Sequence, residues 1–327
     1  GKSGLKVSEV GLGCWAIGGP SWNDAGNQVG WSGANDVDSL AGLNKAYELG
    51  INHWDTADVY GKGHSERLIG KVFTESVKRD EIILATKAGW FKGTADNAFD
   101  PLLLKHQFEQ SLKNLKTDYV DIYYFHNPFF GDNNKYLRPA AEVVHKLKEE
   151  CKIRFVGQSA YSKDQFLSVC SVTKPDILQL PYNAISSPFD SQEHDIFSWA
   201  DENNLGVVMF GTYAMGLLLG KYDLSNPPKF DEGDIRSERE TFSMAYIEKL
   251  GPALQRLKEK YGSDTQTLAW LANQYALHKS KNAVAIPGFK NPDQVESNCQ
   301  TMARALAVEE IDFITEVFED FKAKTTE

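Results

Sequence analysis

The feature of this sequence that most constrains its fold is a regular alternation of short apolar runs with longer amphipathic segments. The longer segments carry apolar residues three or four positions apart, as a helix with one buried face requires. The short runs are apolar throughout, which is typical of parallel strands covered by helices on the outside of a sheet. Eight strands are predicted, over residues 11–16, 52–55, 82–87, 120–125, 153–158, 177–180, 206–210 and 283–286.

The number and order of these elements predict one α/β domain, a (β/α)8 TIM barrel over residues 1–327. The alternation in residues 5–7 predicts an N-terminal β-hairpin before the first strand. The alternative is a doubly wound sheet with a second domain. It would require a third glycine and a helix after Gly11 and Gly13, but residues 14–16 are Cys, Trp and Ala.

Two segments interrupt the rhythm. Residues 211–241 contain two prolines and many charges, so they are predicted to form a loop or lid. Residues 18–33 lack periodicity and carry Trp22 and Trp31. Aromatic loops at the mouth of a barrel often line a binding pocket, and packing of this loop onto its own barrel is an alternative that does not exclude this.

Composition excludes several function classes. The net charge of −10 argues against a nucleic-acid surface, and no apolar run is long enough to cross a membrane. The N-terminus has no pattern of a signal peptide, and the four cysteines are widely spaced, so we expect reduced thiols and a cytoplasmic protein. The seven histidines show no spacing typical of metal ligands, so no metal site is expected.

Polar, titratable residues end three consecutive predicted strands. Asp55 ends the second strand with Tyr60 just after it, Lys87 ends the third, and His126 follows the fourth. Because the active sites of such barrels lie at the C-terminal ends of the strands, these side chains are predicted to converge. A buried lysine requires a counter-charge, and Asp55 is the natural partner. Each residue alone has a structural explanation, whereas the four together favour a catalytic site.

Five stretches of the chain resemble the aldo-keto reductases. They are residues 55–61 (DTADVYG), 85–87 (ATK), 123–127 (YYFHN), 216–222 (GLLLGKY) and 286–288 (IPG). Each stretch alone is a weak signal, but the ordered set spans nearly the whole chain and is specific. The resemblance is to the branch nearer the bacterial and potassium-channel β-subunit-like members.

The resemblance implies an NAD(P)H-dependent oxidoreductase that reduces aldehydes or ketones, or oxidises sugars or alcohols in reverse, by direct hydride transfer. The catalytic tetrad of the family corresponds to Asp55, Tyr60, Lys87 and His126. Tyr60 is then the general acid, whose pKa of about 10 Lys87 would lower. Asp55 would hold Lys87, and His126 would bind the carbonyl oxygen or pass the proton.

The same matching implies the contacts to the cofactor. Ser159 and Gln179 correspond to partners of the carboxamide, and Ala160 stands where many members carry Asn. Phe210 corresponds to the aromatic residue that stacks on the nicotinamide, with barrel packing as an equal alternative. Trp15 corresponds to a position in the pocket wall and is counted with the cofactor contacts. The loop at the pyrophosphate corresponds to Gly211, Tyr213, Gly216, Leu217 and Lys221.

After the eighth strand, Lys290, Gln294 and Asn298 lie at four-residue spacing on one helical face. They correspond to contacts with the 2′-phosphate and adenine, and the ammonium of Lys290 favours a phosphate, so NADP is the expected cofactor with NAD left open. The expected partner is a small carbonyl, sugar or alcohol, not a nucleic acid or a membrane. The alternative function is a dinucleotide-sensing accessory subunit with slow oxidoreductase activity.

Overall fold

The computed structural model describes residues 1–186 and 188–325 and contains one sheet of eight parallel strands in sequence order. The sheet closes on itself because the Gly11 amide donates to the Ala285 carbonyl at 2.7 Å and the Gly13 amide donates to the Pro287 carbonyl at 3.0 Å. The predicted (β/α)8 barrel is confirmed. Its strands are β1 (Leu12–Gly13), β2 (His53–Asp55), β3 (Ile83–Ala88), β4 (Val120–Phe125), β5 (Ile153–Ser159), β6 (Ile177–Pro181), β7 (Gly206–Phe210) and β8 (Ala283–Ala285).

Helices surround the sheet, and several begin where the sequence supplies a cap. Asn35 accepts the Asp38 amide at the start of one helix, and Asp100 accepts the Leu102 and Leu103 amides ahead of Pro101. Within the described residues no helix is both long and apolar enough to cross a bilayer. The helices are α1 (Asp36–Glu48), α2 (His64–Glu75), α3 (Pro101–Leu115), α4 (Leu137–Glu149), α5 (Lys163–Thr173), α6 (Ile196–Glu202), α7 (Met244–Tyr261), α8 (Thr265–Leu277), α9 (Pro292–Gln300) and α10 (Val308–Thr325).

Packed side chains fill the barrel interior. A Cβ atom at Gly157 would overlap the ring of Tyr124, so only glycine at this position in β5 leaves room for that ring. The cluster that includes this ring consists of Ala85, Ile122, Tyr124, Ile177, Val208, Val284 and Ile286. The interior is therefore a core and not a channel.

The N-terminal segment differs from its prediction. Residues 1–9 contain no strand, so the predicted β-hairpin does not form. The Leu5 and Val7 side chains instead pack against the interior cluster, at the end of the barrel where the strands begin. The alternation that predicted a hairpin arises from these two apolar contacts, which have no partner strand to pair with.

The predicted lid, residues 211–241, contains only short 3-10 helices and is fastened to the loop after β1. The Gly30 amide donates to the Gly233 carbonyl at 3.2 Å, and the Ile235 amide donates to the Gly30 carbonyl at 3.0 Å. The Asp234 carboxylate accepts both the amide of Ser32 at 2.8 Å and its hydroxyl at 2.9 Å. These bonds join two loops at the C-terminal end of the barrel, where the expected site lies.

Candidate active site

The four predicted catalytic residues meet at the C-terminal ends of neighbouring strands. The Lys87 ammonium donates to Asp55 Oδ1 at 2.5 Å, to the Thr56 carbonyl at 2.8 Å and to the Tyr60 hydroxyl at 3.1 Å. The rings of Tyr60 and His126 are 5.7 Å apart, edge to face. One ammonium therefore joins the carboxylate to the phenol, and the imidazole packs edge-to-face with the phenol ring.

Close backbone packing fixes the loop that carries Tyr60. Gly61 has φ +59°, and a Cβ atom there would overlap the Gly18 carbonyl. A Cβ atom at Gly18 would lie 2.8 Å from the carbonyl carbon of Tyr60. The ring of Trp15 stacks against Tyr60 with centroids 5.8 Å apart. Two glycines and one indole therefore leave the phenol little freedom to move.

Charge and burial set the protonation states of the site. Burial works to lower the pKa of Lys87, but the Asp55 charge and the bonds to Asp55 and Tyr60 outweigh it, so the pKa is raised and the lysine is charged. Burial of the Tyr60 hydroxyl raises its pKa to about 12, while Lys87 acts to lower it. The expected effect of Lys87 is thus present but outweighed by burial. Burial, followed by the Lys87 charge, lowers the pKa of His126 well below its usual range, so the imidazole is neutral.

Ser159 and Gln179 lie side by side next to this group. They are opposite each other in the register of β5 and β6. The Gln179 amide Nε2 donates to Asp55 Oδ2 at 2.7 Å, a contact that sequence reasoning did not anticipate. Among the described residues the Ser159 hydroxyl makes no hydrogen bond. A free hydroxyl beside an amide suits a ligand that carries a carboxamide.

Aromatic rings surround the tetrad. Phe210 is half-buried at the top of the interior cluster, and its ring is edge-on to Tyr161 at 6.2 Å. Trp90 is edge-on to His126 at 6.2 Å, and Phe129 continues the row at 6.0 Å from Trp90. Trp90 and Phe129 are 45% and 51% exposed, so they present apolar surface next to the imidazole of His126. The site wall is therefore aromatic on this side.

A cluster of three cations lies at the lid and just before α9. Arg236 pairs with Asp234 at 2.7 Å, whereas Lys221 and Lys290 form no ion pair in the described part of the chain. Burial, followed by the nearby Arg236 charge, lowers the pKa of both lysines, to about 8 for Lys290. Partly buried cations that repel one another fit a ligand with several phosphate charges.

The backbone near Lys221 is also shaped for an anion. A Cβ atom at Gly216 would come within 3.4 Å of the Lys221 ammonium, so the lysine lies over this turn. Left-handed conformations recur here, at Gly211, Ala214, Met215 and Gly216. Successive residues of this kind turn backbone amides towards one concavity, as in anion-binding nests. The residues present therefore fit a dinucleotide that runs from Ser159 towards Lys290.

Other residues assigned to the cofactor by sequence are committed to internal bonds. The Tyr213 hydroxyl donates to Asn298 Oδ1 at 2.8 Å and accepts the Asn273 amide at 2.8 Å. The Asn298 amide also donates to the Gly288 carbonyl at 3.2 Å, and Leu217 is buried in the core. Gln294 accepts the backbone amide of Lys290 at 2.9 Å. In the structure described here, these side chains support the loop that carries the cations.

Two groups that shape the site were missed from the sequence. Asp234 binds Ser32, which is 202 positions away, and no local pattern marks such a pair. Gly61 directly follows Tyr60 in the stretch that identified the tetrad, so its role could have been inferred from that position. Across residues 1–186 and 188–325, no group of three or more His, Cys, Asp or Glu side chains is placed to hold a metal ion.

Comparison with known proteins agrees with this geometry. The sequence pattern of the aldo/keto reductase family matches residues 9–319. Aldo-keto reductase YhdN of Bacillus subtilis (strain 168) is 30% identical over 301 residues, which covers 90% of this chain and 85% of that protein. The structure of glycerol dehydrogenase AKR11B4 from Gluconobacter oxydans superimposes with a TM-score of 0.79 at 27% identity, covering 97% of this chain and 93% of that one.

Two further relatives carry different nicotinamide cofactors in their names. One is the aldo-keto reductase yakc of Schizosaccharomyces pombe (strain 972 / ATCC 24843), named for NADP(+), 28% identical over 89% of this chain and 83% of its own length. The other is the NADH-specific methylglyoxal reductase of Escherichia coli (strain K12), 28% identical over 91% of this chain and 90% of its own length. With the family pattern matched over nearly its whole length, the chain belongs to the aldo/keto reductase family and is an oxidoreductase.

Proposed function

We propose that this oxidoreductase reduces small aldehydes or ketones with NADPH, with Tyr60 as the proton donor. The observation that carries the proposal is the Lys87 ammonium, which is within hydrogen-bonding distance of both Asp55 and Tyr60. A lysine buried with a single carboxylate could be architecture alone. A lysine that also reaches a phenol at the mouth of the barrel supports proton transfer.

Each residue has a distinct part in this proposal. The bound nicotinamide supplies the hydride, and negative charge then develops on the carbonyl oxygen of the substrate. Tyr60 donates its proton to that oxygen, which requires the neutral phenol that its raised pKa maintains. Lys87 stabilises the phenolate left behind, and Asp55 keeps Lys87 charged and in place.

His126 acts as a neutral hydrogen-bond donor in this scheme. Its pKa is lowered well below the usual range, first by burial and then by Lys87, so an imidazolium is disfavoured. A neutral imidazole can still donate one hydrogen bond to the carbonyl oxygen and so fix its direction. We therefore assign proton donation to Tyr60 and orientation to His126.

The cofactor proposed is NADPH. Ser159 and Gln179 would hold the carboxamide, the ring of Phe210 would face the nicotinamide, and Lys221 and Lys290 would hold phosphates. Lys290 supports NADPH over NADH because its ammonium donates to the Ser32 carbonyl but forms no ion pair among the described residues, so it gains most from the additional 2′-phosphate. The four cysteines are free thiols, which supports the cytoplasmic setting that we propose for this reaction.

The proposal is tested with Tyr60→Phe. We expect kcat for aldehydes and ketones to fall by about 10²–10⁴-fold, because the proton donor is lost. The dissociation constant for NADPH, measured by quenching of tryptophan fluorescence, should stay close to that of the wild type. Tyr47→Phe is the matched control, since the Tyr47 hydroxyl binds Glu81 at the surface, away from the tetrad.

Near-normal turnover by Tyr60→Phe would refute the assignment of the acid. A wild-type enzyme that binds NADPH but reduces no member of a broad panel of aldehydes, ketones and aldoses would instead support the accessory-subunit alternative. Measuring each variant with NADH as well as NADPH determines which cofactor is preferred.

A further inference from the structure

We infer that Gln179 is a positioning residue for the tetrad, in which one side-chain amide holds Asp55 and binds the cofactor carboxamide together. The inference rests on the proposed function and extends it to the way cofactor binding acts on the proton donor. Gln179 does not touch the reacting atoms, so its effect on catalysis passes through Asp55 and Lys87.

The two oxygens of Asp55 have separate donors. Oδ1 accepts Lys87 at 2.5 Å, and Oδ2 accepts the Gln179 amide at 2.7 Å. All three residues are at most 2% exposed, so water cannot replace either donor. Loss of Gln179 would leave one oxygen of a buried carboxylate without a hydrogen bond, which is a costly arrangement.

The two donors approach Asp55 from different walls of the barrel. Asp55 lies in β2 and Lys87 in the neighbouring strand β3. Gln179 lies in β6, which is four strands from β2 in a closed ring of eight and therefore faces β2 across the barrel. The carboxylate is thus fixed between a neighbouring strand and the far wall. An amide makes this contact without adding charge, so the Lys87–Asp55 pair stays neutral overall.

The other end of the same amide is available to a ligand. Gln179 Oε1 accepts no hydrogen bond from the described residues, and it is not among the buried atoms that lack a partner. It can therefore accept from the NH₂ group of a carboxamide beside Ser159. Because the amide of Gln179 is planar, a nicotinamide bound to its Oε1 would also fix the orientation of the N–H that donates to Asp55.

The hydrogen bond from Gln179 to Asp55 affects the pKa of Tyr60 through the charges of Asp55 and Lys87. Asp55 acts to raise the pKa of Tyr60, and Lys87 acts to lower it. The Gln179 N–H shares the negative charge of Asp55, so its removal leaves Asp55 to draw Lys87 more strongly away from the phenol. Tyr60 then becomes a weaker acid, and reduction slows even where cofactor still binds.

The test compares Gln179→Leu with two matched variants. Ser159→Ala removes a carboxamide contact without touching Asp55. Gln158→Leu removes a buried glutamine of the neighbouring strand, whose amide, among the described residues, donates to the Asn127 and Ser159 carbonyls at 3.2 and 3.0 Å. For each variant we measure kcat from about pH 6 to pH 10, NADPH affinity by fluorescence quenching, and the urea midpoint of the apoprotein.

For Gln179→Leu we expect kcat to fall by about tenfold or more at every pH in this range, because the pKa of Tyr60 is already about 12 and rises further. Ser159→Ala should weaken NADPH binding with its pH profile unchanged, and Gln158→Leu should lower only the urea midpoint. Gln179→Glu should recover part of the lost kcat at low pH, because a protonated carboxyl can donate the same hydrogen bond to Asp55. That recovery should disappear as the new carboxyl ionises.

An effect of Gln179→Leu on NADPH affinity alone, like that of Ser159→Ala, would overturn the inference. If the wild type reduces no substrate, the proposed function fails, and the apoprotein then decides the inference alone. In that case the decrease in urea midpoint of a Gln179→Leu, Asp55→Asn double variant should be smaller than the sum of the decreases of the two single variants. Additive losses would show that the two side chains are not coupled and would overturn it.

Discussion

The lowered pKa of Lys290 leads to a quantitative prediction of how NADPH affinity depends on pH. Burial, followed by the charge of Arg236 and the smaller effect of Lys221, lowers the pKa of this lysine to about 8 in the free protein. A phosphate dianion beside the ammonium would raise that pKa to at least the ordinary value of about 10.4. Binding of NADPH above pH 8 must then be accompanied by uptake of one proton.

The size of the effect follows from the fraction of protein that is already protonated. At pH 7 about nine-tenths of the free protein carries the Lys290 proton, and at pH 9 only about one-tenth does. The dissociation constant for NADPH should therefore rise by about tenfold between pH 7 and pH 9, which is about 1.4 kcal/mol of binding free energy. NADH lacks the 2′-phosphate, so its affinity should change much less over the same range.

Isothermal titration calorimetry in two buffers of different ionisation enthalpy measures both the affinity and the proton uptake. Lys290→Met is the control, because it should weaken NADPH binding at pH 7 and remove most of the pH dependence. A dissociation constant for NADPH that is flat from pH 7 to pH 9, or one that rises equally for NADH, would refute the assignment of Lys290 to the 2′-phosphate.

Two further predictions concern the tetrad and its loop. Lys87→Met should cost about 3–5 kcal/mol of unfolding free energy in urea, because it leaves Asp55 buried without its cation, and adding Asp55→Asn should restore part of that loss. Stability unchanged in the single variant would contradict the pairing. Gly61→Ala should lower kcat with little change in NADPH affinity, because the added Cβ overlaps the Gly18 carbonyl. Gly26→Ala, also at positive φ but with open space around it, separates backbone strain from that overlap, and equal kcat losses would show that strain alone is responsible.

The sequence was sufficient to predict the barrel and the convergence of the four tetrad residues. Parallel strands align their carboxyl ends, so a polar residue at each strand end can be placed without coordinates. Asp55, Lys87 and His126 follow this rule because each lies at or next to the end of a strand. Tyr60 lies five residues beyond a strand, and its placement depended on the resemblance of residues 55–61 to a known motif.

What could not be predicted depends on contacts between distant segments. The hydrogen bond from Gln179 to Asp55 spans 124 positions and depends on which strands face each other across the closed barrel. The predicted lowering of the Tyr60 pKa is wrong in its net direction, because burial of the hydroxyl, which composition does not encode, outweighs the nearby Lys87 cation. The alternating residues 5–7 form no paired strand, since the Leu5 and Val7 side chains pack against the interior cluster of the barrel.

The ring of Tyr124 has a consequence for how the phenol of Tyr60, the proposed proton donor, would regain its proton. It occupies the space left by Gly157 in the packed interior, with Leu5 and Val7 closing the far end, so the site has a solid floor. Among the residues described, the side chains of this cluster pack against one another inside the barrel. If Tyr60 donates the proton as we propose, its reprotonation would come from bulk solvent at the open rim, and any element that covers the rim would also control the supply of protons.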